Sequence, residues 1–139
     1  MGTDIRPELS EKNPYYIGRN RYYELKHFCL QYPGWQKAYL GLKNLGVKSV
    51  NLAEFVRGSG VSDPTAKRGE LLSYYSNRIK MVEDSARETD GVIGEYVLRG
   101  VTEGLSYTCL RTKYDIPCGR DYYYDAYRRF FWILDKSRE

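Results

Sequence analysis

The sequence predicts an all-α fold: an N-terminal helical hairpin, a long connecting helix and a C-terminal helix-turn-helix. Three observations predict it. Apolar residues recur at three- and four-residue spacing in successive stretches of the chain. Gly, Pro, Asn and Asp sit between those stretches. No strand pair, hairpin signal or internal repeat interrupts them.

Residues 1–14 read as a flexible leader ending at Asn13-Pro14. Residues 15–62 read as the N-terminal hairpin with its linker, and residues 63–139 as the long helix plus helix-turn-helix. The first helix is expected over 15–31, with Tyr22, Leu25, Phe28 and Cys29 on one stripe. Pro33-Gly34 marks a turn. The second helix is expected from Trp35 to Leu45, with Trp35, Tyr39, Leu42 and Leu45 at helical spacing and Gly46 as its stop. Lys26, Lys37, Lys43 and Lys48 are placed on the wet face of the pair. A short further helix is expected near Leu52–Val56, before the break at Gly58-Ser59-Gly60.

Asp63-Pro64 is a helix start, because Asp accepts from an orphan amide and Pro fits the first helical position. The long helix should reach about Arg87, with Leu71, Leu72, Tyr75, Ile79, Val82 and Ala86 as its apolar seam. Asp90-Gly91 breaks it. The next helix, about Val92 to Thr102, turns Ile93, Tyr96, Val97 and Val101 inward, and Gly94 and Gly100 weaken it intrinsically.

In the last segment, Ser106 is the expected N-cap of a short helix from Tyr107 to about Lys113. Leu105 and Leu110 point to the core, and Ile116 plugs the turn Tyr114-Asp115-Ile116-Pro117. The final helix is expected from about Cys118 to Asp135, with Tyr123, Tyr127, Phe130, Phe131 and Leu134 on its buried stripe. In a recognition helix the first two turns face the bases, so Arg120, Asp121 and Tyr124 are the candidate readers. Arg111, Lys113, Tyr122 and Arg128 are candidate backbone contacts, together with Arg129. The same spacing also suits a protein–protein module in which Arg120 pairs with Asp121 or Asp125 on a solvated face.

Bulk properties bound the function. The net charge is +4. Residues 12–48 carry seven basic residues against one acid, while residues 92–139 carry eight against seven. The basic surplus therefore lies outside the helix-turn-helix, although phosphate neutralisation supplies most non-specific affinity for DNA. No apolar run approaches the roughly 18 residues of a membrane span, and the N-terminus lacks the apolar core of a secretory signal. The expected location is the cytoplasm of a bacterial host, with no membrane contact. Cys29, Cys109 and Cys118 read as reduced, mostly buried thiols, because the count is odd and the spacing wide. With His27 as the lone histidine, no catalytic triad, phosphate-binding loop or metal site is legible, so no enzyme activity, cofactor or metal is expected.

Thr102-Glu103-Gly104-Leu105-Ser106-Tyr107, Tyr114 to Arg120 and Arg128-Arg129-Phe130-Phe131 resemble the C-terminal half of small phage and prophage proteins of the RinA/ArpU group of late-gene regulators. Their ending is similar to the sigma-factor region that reads the −35 element. The Asp63-Pro64-Thr65 helix start and the segment Tyr22 to Pro33 with Trp35 extend the resemblance over most of 15–135. The resemblance implies regulation of phage or prophage transcription by binding double-stranded DNA, beside host RNA polymerase or another host protein. A single helix-turn-helix binds weakly, which favours a homodimer. Sigma-like members usually carry Ser or Thr at the start of the recognition helix, where this chain has Pro117-Cys118-Gly119.

Two other readings stay open. One is a small phage or mobile-element protein that binds and inhibits a host protein such as a CRISPR effector, through a surface rich in the 15 tyrosines. The other is a packaging adaptor of the small-terminase kind. A cluster of exposed tyrosines away from Arg120 and Lys113 would favour the protein partner.

Overall fold

A computed structural model describes residues 13–44 and 64–138, and among these no strand occurs. The helices are α1 (Arg19–Leu30), α2 (Tyr32–Asn44), α3 (Pro64–Thr89), α4 (Gly94–Glu103), α5 (Tyr107–Tyr114) and α6 (Arg120–Ser137). Asp63, Leu45, Lys48 and the short helix expected near Leu52–Val56 lie outside the described residues.

The described residues fall into two compact units. The first joins 13–31 to 81–138, and the second joins 32–44 to 64–80. The boundary falls inside α3, so that helix contributes to both.

In the first unit, α1 buries Tyr22, Leu25, Phe28 and Cys29, the stripe its spacing predicts. It begins at Arg19 rather than near residue 15, with Gly18 as N-cap. Its partners are α4 and α6. The hairpin of α1 with α2 expected over 15–62 spans both units, with α1 in the first and α2 in the second. Rings make much of the α1–α6 contact. Tyr22 meets Phe131 at 5.2 Å between centroids and Tyr127 at 6.4 Å. The Tyr22 and Tyr127 hydroxyls share a hydrogen bond of 2.7 Å. Arg21 adds a clamp: its Nε donates to the Asp135 carboxylate and its Nη2 to the Asp135 carbonyl at 3.3 Å.

α4 buries Val97 and Val101, with Ile93 as its N-cap also buried. Gly94 and Gly100, weak helix formers, are explained by close approach. A Cβ on Gly94 would stand 2.6 Å from the backbone oxygen of Ala86 in α3. A Cβ on Gly100 would overlap the Tyr123 hydroxyl of α6. Gly104 ends the helix in the left-handed region at φ 70°, where residues with a Cβ are strained. The cation at α3's other end is Arg129, which donates to the Thr89 carbonyl at 2.8 Å and so satisfies a C-terminal acceptor.

In the second unit, α2 starts at Tyr32 and carries Pro33-Gly34 in its first turn, not before it. The first-turn amides of a helix lack intrahelical acceptors, so proline costs nothing there. Tyr32, Trp35 and Leu42 are buried, and Tyr39 is half-buried. Leu71, Leu72 and Tyr75 of α3 pack against Leu42, as their spacing predicts. Arg68 donates to the Leu42 carbonyl at 2.8 Å near the end of α2.

The glycines give a paired test. Gly94→Ala should destabilise the fold by about 1–3 kcal/mol, since the backbone of α3 must move. Gly69→Ala, exposed and with open space around it, should stabilise α3 by up to about 1 kcal/mol. Thermal unfolding followed by circular dichroism checks both. Equal effects of the two substitutions would contradict the close α3–α4 approach.

Candidate nucleic-acid interface

α4, α5 and α6 pack on one another, with residues 115–119 linking the last two. The short helix α5 is fixed at both ends. Ser106 caps it as the sequence predicts, accepting from the Cys109 amide at 3.2 Å. The Tyr124 hydroxyl of α6 accepts from the Tyr107 amide at 3.2 Å, satisfying a second orphan donor. At its C-terminus Asp115 adopts φ 54°, the left-handed conformation that Asp tolerates better than most residues. Ile116 is buried as the expected plug, and its amide donates to the Leu110 carbonyl at 3.3 Å. Leu110 is fully buried and Leu105 half-buried.

The link is longer than expected. α6 starts at Arg120, with Gly119 as an N-cap that makes no side-chain hydrogen bond. Pro117 and Cys118 stay outside the helix because the Tyr107 hydroxyl donates to the Cys118 carbonyl at 2.6 Å and holds the link extended. The buried face of α6 contains Tyr123, Phe130, Phe131 and Leu134, with Tyr127 half-buried. Burial pushes the Tyr123 and Tyr127 phenols up, far from ionisation.

The candidate contact residues separate by position. Arg120 is exposed at the entry of α6. Its guanidinium lies 5.3 Å from the Tyr107 ring centroid and donates to the Thr108 hydroxyl at 3.3 Å. It therefore pairs across to α5, not with Asp121 or Asp125. Arg111 and Thr112 follow Thr108 by three and four residues, on the same side of α5. Arg111 is exposed and pairs with Asp115 at 2.8 Å. Lys113 is exposed on a different side of α5. Asp121 is exposed in the first turn of α6, and Asp125 in the second.

Four of the expected contact residues are engaged or partly shut away within the chain. Tyr124 is 7% exposed, and its hydroxyl accepts from the Tyr107 amide. Arg128 is half-buried, with its Nε shut away from solvent and no partner for that atom among the described residues. Tyr122 is 55% exposed, but its hydroxyl donates to Asp90. Arg129, likewise expected at phosphate, is held by the Thr89 carbonyl and by the Tyr15 hydroxyl at 3.2 Å.

Asp90 is the residue that the sequence reading missed. One carboxylate oxygen accepts from the amides of Val92 at 2.8 Å and Ile93 at 2.9 Å; the other accepts from Tyr122. The sequence signal was Asp-Gly before a helix, an Asx-turn pattern that read as a break alone. The Tyr122 hydroxyl bond first, then the Ile93 amide, lowers the Asp90 pKa from its ordinary 3.8. The same bond to Asp90 raises the Tyr122 phenol from its ordinary 10.0.

Among the described residues, no group of His, Cys, Asp and Glu could hold a metal ion, and no helix is long and apolar enough to cross a membrane. Cys29 is buried, whereas Cys109 and Cys118 are half-buried, and all three are free. No protein-family model, curated protein or solved structure matches the chain.

The Asp90–Tyr122 bond gives a pH signature. A depressed carboxyl pKa stabilises above its ordinary value and ceases to do so as pH falls through the folded value. A raised phenol pKa stabilises below its ordinary value and ceases to do so as pH rises through the folded one. The melting-temperature difference between wild type and Tyr122→Phe should therefore be widest between about pH 5 and 9 and shrink on both sides. A difference independent of pH would rule out the bond.

Proposed function

We propose that the chain is a sequence-specific DNA-binding regulator of phage or prophage transcription, with α5 and α6 as a helix-turn-helix. The observation that carries the reading is the junction of these helices. Arg120 and Arg111 stand exposed there beside the Thr108 and Thr112 hydroxyls, on a short helix fixed at both ends. Two guanidinium groups with neighbouring hydroxyls match phosphate and base-edge acceptors. The resemblance to RinA/ArpU regulators supports the same use of the segment.

The tyrosines support it from the other side. Among the described residues the strongly exposed tyrosines are Tyr74 and Tyr122, one in each compact unit. Core packing accounts for Tyr22, Tyr123 and Tyr124. A tyrosine-rich docking surface of the kind expected for an inhibitor of a host protein has no counterpart there.

In this reading Arg120 recognises a base edge, Asp121 selects against phosphate-only contact, and Arg111 and Lys113 bind the backbone. Acids at the first turns oppose non-specific binding, so specific contacts carry more of the affinity. Arg120→Ala should cost about 1–3 kcal/mol on the preferred site and relax its sequence preference. Lys113→Ala should weaken all sequences alike and reduce the salt slope by about one. Gel shifts over phage-genome fragments with a salt titration check both. A folded protein that binds no fragment at low salt would overturn the proposal.

A further inference from the structure

Tyr107, at the start of α5, is fixed at both ends. Its amide donates to the Tyr124 hydroxyl at 3.2 Å, and its own hydroxyl donates to the Cys118 carbonyl at 2.6 Å. Its ring meets the fully buried Tyr123 ring at 5.9 Å between centroids. The Arg120 guanidinium lies over the Tyr107 ring, 5.3 Å from its centroid and within cation–π range. Thr108, next in the chain, accepts from Arg120 Nη2 at 3.3 Å. A ring and a hydroxyl on adjacent residues of α5 thus hold one side chain of α6. Among the described residues Thr108 is the one hydrogen-bond acceptor that Arg120 meets, so most of its five N–H donors remain for a ligand.

We propose that Tyr107 and Thr108 are positioning residues that hold Arg120 ready to read guanine through its N7 and O6. The proposal rests on the DNA-binding reading and deepens it by naming the base. Arginine offers donors only, in a planar fork. Guanine presents two neighbouring acceptors in the major groove, whereas adenine sets an amino donor beside its N7. A side chain already held loses less freedom when it binds. Asp121, exposed at the next position, repels phosphate and so favours the base edge for Arg120. Arg111 differs, because its guanidinium is engaged by Asp115 at 2.8 Å.

Nitrogen-15 relaxation of the Arg120 Nε–H, in the full chain without DNA, tests the cradle. The order parameter should lie above the flexible range of about 0.6 and fall into it in Tyr107→Leu and in Thr108→Val. Thr108 is exposed, so Thr108→Val keeps a folded reporter even if Tyr107→Leu does not fold. A mobile Arg120 in wild type, or an order parameter unmoved in Thr108→Val, would overturn the proposal. Gel shifts then use a duplex selected by the wild type from a randomised pool, with each guanine replaced in turn by 7-deazaguanine, which lacks the N7 acceptor but pairs normally. One replacement should weaken wild-type binding by about tenfold and leave Arg120→Ala unaffected. Thr108→Val should lose that discrimination and Thr108→Ser should keep it. A selected site without guanine, or equal effects of every replacement, would overturn the proposal by assigning Arg120 to phosphate. An ordered Arg120 in a folded chain that binds no duplex at low salt would overturn the regulator reading and the guanine assignment with it, while the cradle, measured without DNA, stands.

Discussion

The closeness of α4 to α6, set by Gly100 against Tyr123, is the constraint on which the first unit depends. Gly100 presents no side chain, and the Tyr123 hydroxyl occupies the place where a Cβ would be. Tyr123 is fully buried, and its ring contacts Tyr107, Tyr124 and Tyr127. The same ring therefore ties α4 and α5 to α6. With α6 so fixed, Tyr22 and Phe131 bring in α1, and Arg129 reaches the end of α3. Dense packing of this kind leaves little freedom at the α5–α6 junction.

Electrostatics divides the surface of the unit. Cations at the junction sit on α5 and at the entry of α6, with Arg120 drawn toward Thr108 and the Tyr107 face. Acids sit beside them, Asp121 in the first turn of α6 and Asp125 in the second. The net charge of the segment conceals where its charges sit, since opposite charges cancel in a sum but not in space.

Much of the fold was legible because it follows from short-range rules. The stripe of Tyr22, Leu25, Phe28 and Cys29, the Ser106 cap, the Ile116 plug and most of the α6 stripe needed periodicity and turn chemistry alone. The candidate site was less legible. Tyr124 lies four residues from Arg120, which reads as one face, yet the ring turns into the core while the guanidinium reaches over α5. Spacing assigns positions on a helix; it does not say where a long side chain ends. Arg128 and Arg129 show the same limit: one is partly shut away and the other caps α3.

By itself the sequence determined the order of the helices, the Ser106 cap and most of the apolar faces, since these depend on neighbours within a turn or two. Tertiary structure decided which faces meet. It placed α1 against α4 and α6, made Gly94 and Gly100 points of contact, and joined Asp90 to Tyr122 across 32 residues of chain. These pairings arise from packing of distant segments, and no local pattern encodes a distant partner. The chemistry open to Arg120 and Arg111 follows from that packing, because it sets which charges face solvent together.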